Sequence, residues 1–231
     1  MQSFHRAALA AGLMCASGVA HAGIITFSFT PVTTGGTLTC VAGAGGPDTG
    51  LLIFNQNTPL SFTINATGDG GGITTFSNAR ATMSITLPPA NNLGGGLFQS
   101  QVSGTFTIYD FTGNVRTDIL TGNLAGGIFQ KFQTSHMIQL GTNTGLTYTA
   151  GPRLTQILGP GRQLAAAESG LFALADVRTF TGGTEVIGAG NVFESFFANT
   201  AFTGSSNVIP NPGSVALLTV GGLMVARRRR N

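Results

Sequence analysis

Few side chains in this sequence are equipped for chemistry. Beyond the first 22 residues there is a single histidine, His136, set in Ser135-His136-Met137-Ile138. A hydrolytic triad needs a Ser or Cys nucleophile, a histidine base and an orienting acid. No Gly-x-Ser-x-Gly elbow accompanies His136, so it reads as a surface or satisfied histidine on a strand. A lone histidine is also too little for an ordinary poly-His zinc site. Glycoside hydrolysis would need two carboxylates at a set separation. The candidates are Asp110 with Asp118, or Glu168, Glu185 and Glu194, and none stands apart from turn and surface use. Asp48 and Asp69 sit in Gly-rich turns, but calcium wants about six to eight oxygens. One Asp per loop reads as turn chemistry. The glycine runs lack the following Lys-Ser/Thr of a phosphate loop. Sugar-stacking platforms favour Trp or Tyr, and the chain has no Trp and only Tyr109 and Tyr148. Cys40, the one cysteine outside the N-terminal segment, reads as a small buried apolar side chain. The residues therefore predict no catalytic group, no metal and no cofactor.

The elements that would have to position such groups are strands. Ile25, Phe27 and Phe29 alternate with Thr26, Ser28 and Thr30. The same period of two runs through Leu60, Phe62 and Ile64, through Ala81, Met83, Ile85 and Leu87, and through Val102, Phe106 and Ile108. Leu146, Tyr148 and Ala150 repeat it. Such alternation marks half-buried strands with one dry and one wet face. Gly- and Pro-rich stretches at 43–50, 68–72, 88–96 and 182–183 separate them as turns. A hairpin is expected over 103–124 with its turn near Gly113-Asn114. The stretch 163–178 fits a short helix around Ala165-Ala166-Ala167-Glu168 or two strands around Gly170. The predicted fold is all-β: an antiparallel β-sandwich with jelly-roll-like connections, flanked by an N-terminal signal helix and a C-terminal membrane helix.

Composition agrees with a folded body. Charged residues make up only 8% of the 231, while 17 Phe and many aliphatic residues can supply a core. Disorder goes instead with few apolar residues and high net charge. The net charge of +3 belongs to the ends. Between them, six basic residues face eight acidic ones, a formal charge of −2. That leaves no basic patch for nucleic acid.

The ends carry addresses. Arg6 precedes the small, apolar stretch 7–19, and Ala20-His21-Ala22 then gives the small-x-small pattern read by signal peptidase. Cleavage is expected between Ala22 and Gly23, making 1–22 a secretory signal peptide. Cys15 follows Met14, too large for a lipoprotein box. At the other end, Ile209-Pro210-Asn211-Pro212-Gly213 opens an uncharged stretch over 213–226, followed by Arg227, Arg228, Arg229 and Arg230. Two prolines keep the peptide extended. As a helix rising about 1.5 Å per residue, Ile209 to Ala226 would reach roughly 27 Å, only just crossing a bilayer core of about 30 Å. The arginines hold the cytoplasmic side.

This tail, 208–231, resembles the PEP-CTERM sorting signal, in which Pro-Glu-Pro precedes a short membrane helix and an arginine cluster. Pro210 and Pro212 match the prolines, and Asn211 stands in place of Glu, as in planctomycete-like variants of the motif. The resemblance implies transient anchoring in the inner membrane and cutting by an exosortase-like enzyme. The protein would then reach the cell surface or the medium, in contact with exopolysaccharide or other surface proteins. The body, 23–207, would be non-enzymatic. A secreted carbohydrate- or calcium-binding module is the alternative.

Overall fold

The computed structural model describes residues 23–32, 36–141 and 145–210. The expected signal and membrane helices lie outside these residues. Among the described residues, twelve strands and one α-helix follow in order: β1 (Gly23–Pro31), β2 (Leu38–Gly46), β3 (Thr49–Phe54), β4 (Leu60–Asn65), β5 (Ile73–Leu87), β6 (Asn91–Gly94), β7 (Leu97–Asp110), β8 (Thr117–Phe132), β9 (Ser135–Gly141), β10 (Leu146–Ala150), α1 (Pro152–Leu158), β11 (Arg162–Thr179) and β12 (Phe196–Pro210). The described chain is thus all-β and antiparallel, as its alternation predicts.

The connections are simpler than a jelly roll. Pairing runs β1–β4–β5–β7–β8–β9–β11–β12, every step antiparallel. It closes where β12 pairs β1, from Gly23↔Val208 to Phe29↔Phe202. The remaining strands extend members of this ring. β2 continues β1 along β12, β3 leads into β4 along β5, and β10 continues β9 along β8. The result is an up-and-down barrel whose walls pack across one core. Around this ring, neighbours in space are neighbours in sequence except where β12 closes on β1. Each strand reverses into its neighbour around the ring, by a tight turn, a loop or a short helix, so no crossover is needed.

Eight strands enclose a lumen that side chains can fill, and here aromatic rings fill it. Phe106 meets Phe172 and Phe202 at centroid distances of 5.1 and 5.3 Å, and Phe172 lies 4.9 Å from Phe202. Phe29 extends the column through Phe202 and Phe54, and Phe27 meets Tyr148 edge-on. Each buried Phe contributes about 1.5–3 kcal/mol. The alternating residues named from sequence all point inward, with Ile25, Leu60, Phe62, Ile64, Ile85 and Ile108 wholly buried. Gly122 makes the column possible, because a Cβ there would overlap the Phe106 ring. Outward positions carry hydroxyls that pair across strands, as in Thr63–Thr75, Thr107–Thr121 and Ser169–Ser205. That is the reverse of the outward apolar band of membrane-spanning barrels.

Three local expectations resolve here. The 103–124 hairpin forms, turning through a short 3-10 segment, Thr112–Asn114, with Gly113 and Asn114 left-handed. The stretch 163–178 is neither a helix nor two strands but part of one long strand, β11, with register shifts after Leu164, Ala167 and Ala175. Finally, β12 runs to Pro210, so Val208, Ile209 and Pro210 belong to the barrel rather than to the tail. Val208 is buried opposite Gly23 and Leu164, which is why the ladder continues that far.

Candidate functional site

The alternating strand directions give the barrel two poles. At one, here the exit pole, β1 begins at Gly23 and β12 ends at Pro210. Asn65–Ile73, Asp110–Thr117 and Ala150–Arg162 also reverse there. At the far pole lie the β2–β3 turn, β6, the β8–β9 turn and the segment 180–195.

The exit pole gathers both predicted processing points. Gly23, the first residue after the expected signal cleavage, pairs with Val208, the neighbour of motif residue Ile209. Ile209 and Pro210 pair with Gln163 and Arg162 on β11. Ala20, Ala22, Asn211, Pro212, Gly213 and Arg227, Arg228, Arg229 and Arg230 lie outside the described residues. Gly23 packs so closely on Asp69 that a Cβ would collide with the Asp69 backbone.

Carboxylates at this pole are held by arginines. Arg162 Nη1 lies 2.9 Å from Asp69 Oδ2 and Nη2 lies 2.9 Å from Oδ1, with further donation to the Asp69 carbonyl at 3.3 Å. Asp110 Oδ2 takes Arg153 Nη2 at 3.0 Å, and its Oδ1 accepts from the Thr112 amide and hydroxyl. Arg116 Nε donates to Asp118 at 2.8 Å and its guanidinium covers Tyr109 at 4.4 Å. Arg80 lies 4.0 Å over the Phe111 ring. The two acids considered as a hydrolytic pair, Asp110 and Asp118, are therefore each neutralised by a separate arginine. Asp69 is committed to Arg162 rather than presented to a cation. Helix α1 closes the pole with buried Leu154 and Leu158.

The far pole is plugged by the 180–195 segment, where Val186, Ile187 and Phe193 are buried and Phe193 meets Phe129 edge-on at 5.0 Å. Lys131 lies almost wholly buried with Nζ 3.0 Å from Glu185 Oε1, and Glu185 itself is exposed. His136, opposite Lys131 in the β8–β9 ladder, departs from the sequence expectation. It is buried, and neither ring nitrogen has a hydrogen-bond partner. Burial lowers its pKa first and the Lys131 ammonium second, against smaller opposing effects of Glu185 and the Thr134 backbone. With no acid or hydroxyl on either nitrogen, the imidazole lacks the partners of a triad. Cys40 is fully buried, and burial pushes its thiol up to about 12. Tyr109 and Tyr148 are buried too, the latter donating to the Ser169 carbonyl at 2.8 Å. Among the described residues no cluster of His, Cys, Asp and Glu could hold a metal ion.

Comparison with protein-family models, with curated proteins and with solved structures gives no match. The arginine clamps escaped the sequence reading for a simple reason. Asp69 and Arg162 stand 93 residues apart and become neighbours only once the barrel closes.

Proposed function

We propose that this chain is an exported, non-enzymatic cell-surface or extracellular-matrix protein, delivered by a signal peptide and a PEP-CTERM-like tail. One observation carries the reading. The barrel closes between Gly23 and Pro210, so its ring of strands needs neither flanking segment. Removal of 1–22 and of the residues beyond 210 would leave every strand pairing of the body intact. Signal peptidase and an exosortase-like enzyme are the processing partners of this reading, and exopolysaccharide or other surface proteins its partners after release. The burial of Tyr109 and Tyr148 and the engagement of Asp69 by Arg162 give the carbohydrate- or calcium-binding alternative less support.

The test is the intact mass of the protein from its native cells, beside its distribution between membrane and medium. A released product starting at Gly23 and ending just past Pro210 is expected. A product that keeps Arg227 to Arg230 and stays membrane-bound would overturn the reading.

A further inference from the structure

Both predicted addresses leave the barrel side by side, and this limits how the body can sit before release. Pro210 is still in the β12 ladder, opposite Arg162. Only Asn211, Pro212, Gly213 and Ser214 separate it from the apolar run beginning at Val215. Fully extended, these few peptide units span less than about 18 Å. The headgroup layer on one side of a bilayer takes up roughly 5–8 Å of that reach. The barrel itself is longer. A 15-residue strand such as β12, at about 3.3 Å per residue and tilted by roughly 40°, advances close to 40 Å along the axis. A tether this short holds one pole near the lipid and leaves the other far from it, provided the barrel stands rather than lies flat.

Charge decides between standing and lying. The exit half carries Arg80, Arg116, Arg153 and Arg162 against Asp69, Asp110, Asp118 and Glu168, and is formally neutral. The far half carries Lys131 and Arg178 against Asp48, Asp176, Glu185 and Glu194, a formal −2. All the excess negative charge of the body is therefore at the end away from the tether. The arginines of the exit pole remain partly open, with Arg116, Arg153 and Arg162 side chains 46%, 41% and 41% exposed. Arg116, bonded through Nε, and Arg153, bonded through Nη2, keep other Nη donors that can turn toward lipid phosphate while their carboxylates stay satisfied. Ile24, Ile73 and Val115 add exposed aliphatic groups at the same end. An anionic surface attracts basic groups within about a Debye length and repels acidic ones. Lying flat would bring the acidic half onto the phosphates.

We infer that, in the tail-anchored form, the exit pole is apposed to an anionic lipid surface and the barrel stands upright on it, with the 180–195 plug facing outward. This rests on the proposed membrane insertion of the tail.

The experiment uses the chain from Gly23 to Asn231 in phosphatidylethanolamine–phosphatidylglycerol vesicles carrying headgroup-attached nitroxide. A fluorophore is placed on Ile73→Cys at the exit pole or on Leu93→Cys at the far pole. Both positions are exposed, and native Cys40 is buried and stays unlabelled. Flotation is read first. If the protein does not float with the vesicles, the tail reading fails and the orientation falls with it. If it floats, several-fold stronger quenching at position 73 than at position 93 is expected. Equal quenching at the two positions, or stronger quenching at 93, would overturn the upright orientation while leaving the anchor in place.

Discussion

Arg162 grips Asp69 through two matched contacts of 2.9 Å, yet the two partners are unequally buried, the carboxylate at 3% exposure and the guanidinium at 41%. The clamp ties the β4–β5 loop to the residue opposite Pro210, where the barrel ends. Removing the arginine strands a buried acid, whereas removing the acid leaves an arginine that water can reach. Arg162→Leu should therefore cost about 2–3 kcal/mol and Asp69→Asn clearly less. Urea unfolding should show midpoints falling in that order at unchanged slope. The opposite order would show that the guanidinium, not the carboxylate, is the strained partner.

Gly122 is needed for space. A Cβ at this position would enter the Phe106 ring, which itself touches Phe172, Phe202 and Tyr148. Gly122→Ala should lower stability by about 1–3 kcal/mol, the usual cost of overpacking. Adding Phe106→Leu to it should cost less than the sum of the two single changes, because the second removes the ring that the first strikes. Strict additivity in thermal unfolding would contradict the contact.

His136 should make stability acid-sensitive. Its folded pKa lies below the ordinary 6.5 because burial, aided by Lys131, disfavours the imidazolium. As pH falls through the unfolded value, the unfolded chain takes up a proton that the folded chain refuses. Stability from this residue is thus unaffected well above 6.5 and declines as pH drops below it, until the folded imidazole protonates. His136→Leu should flatten the stability profile between about pH 7 and 5 relative to the wild type. Parallel profiles would mean that the ring finds a proton acceptor when charged.

Cys40 should be inert while the barrel is folded. Its thiol is buried and its pKa is pushed up to about 12, leaving almost no thiolate near neutrality. An aromatic disulfide reagent should react with it at the rate of unfolding, and immediately in denaturant. Fast reaction in native buffer would reveal local opening of β2 and β3.

Much of the wall was legible in the sequence because each strand announces itself locally. Phe27, Phe62, Ile85 and Phe106 face inward for the period-two reason that predicts them. Closure was not legible. Nothing near Gly23 signals that it will pair with Val208, and only the completed ring brings them together. The same distance hid the arginine clamps and moved the boundary of the tail to Pro210. In β11, Ala165-Ala166-Ala167-Glu168 favours a helix by propensity, but pairing with β12 before and after it, at Leu164 and from Ser169 onward, carries the strand through this irregular stretch and overrides that preference. His136 was misjudged because strand alternation alone does not say which wall the far-pole plug will cover.

The seam between β1 and β12 also sets how the protein answers to force. Its two ends emerge at the same pole from adjacent antiparallel strands. Tension applied across those ends would peel the seam one backbone bond at a time, a mode that resists weakly. Tension applied between the tail and the far pole would load the bonds of several strands together along their length. A body gripped by its tail and by whatever touches its outer end would be mechanically strong, and the same body pulled by its two ends would open like a zip.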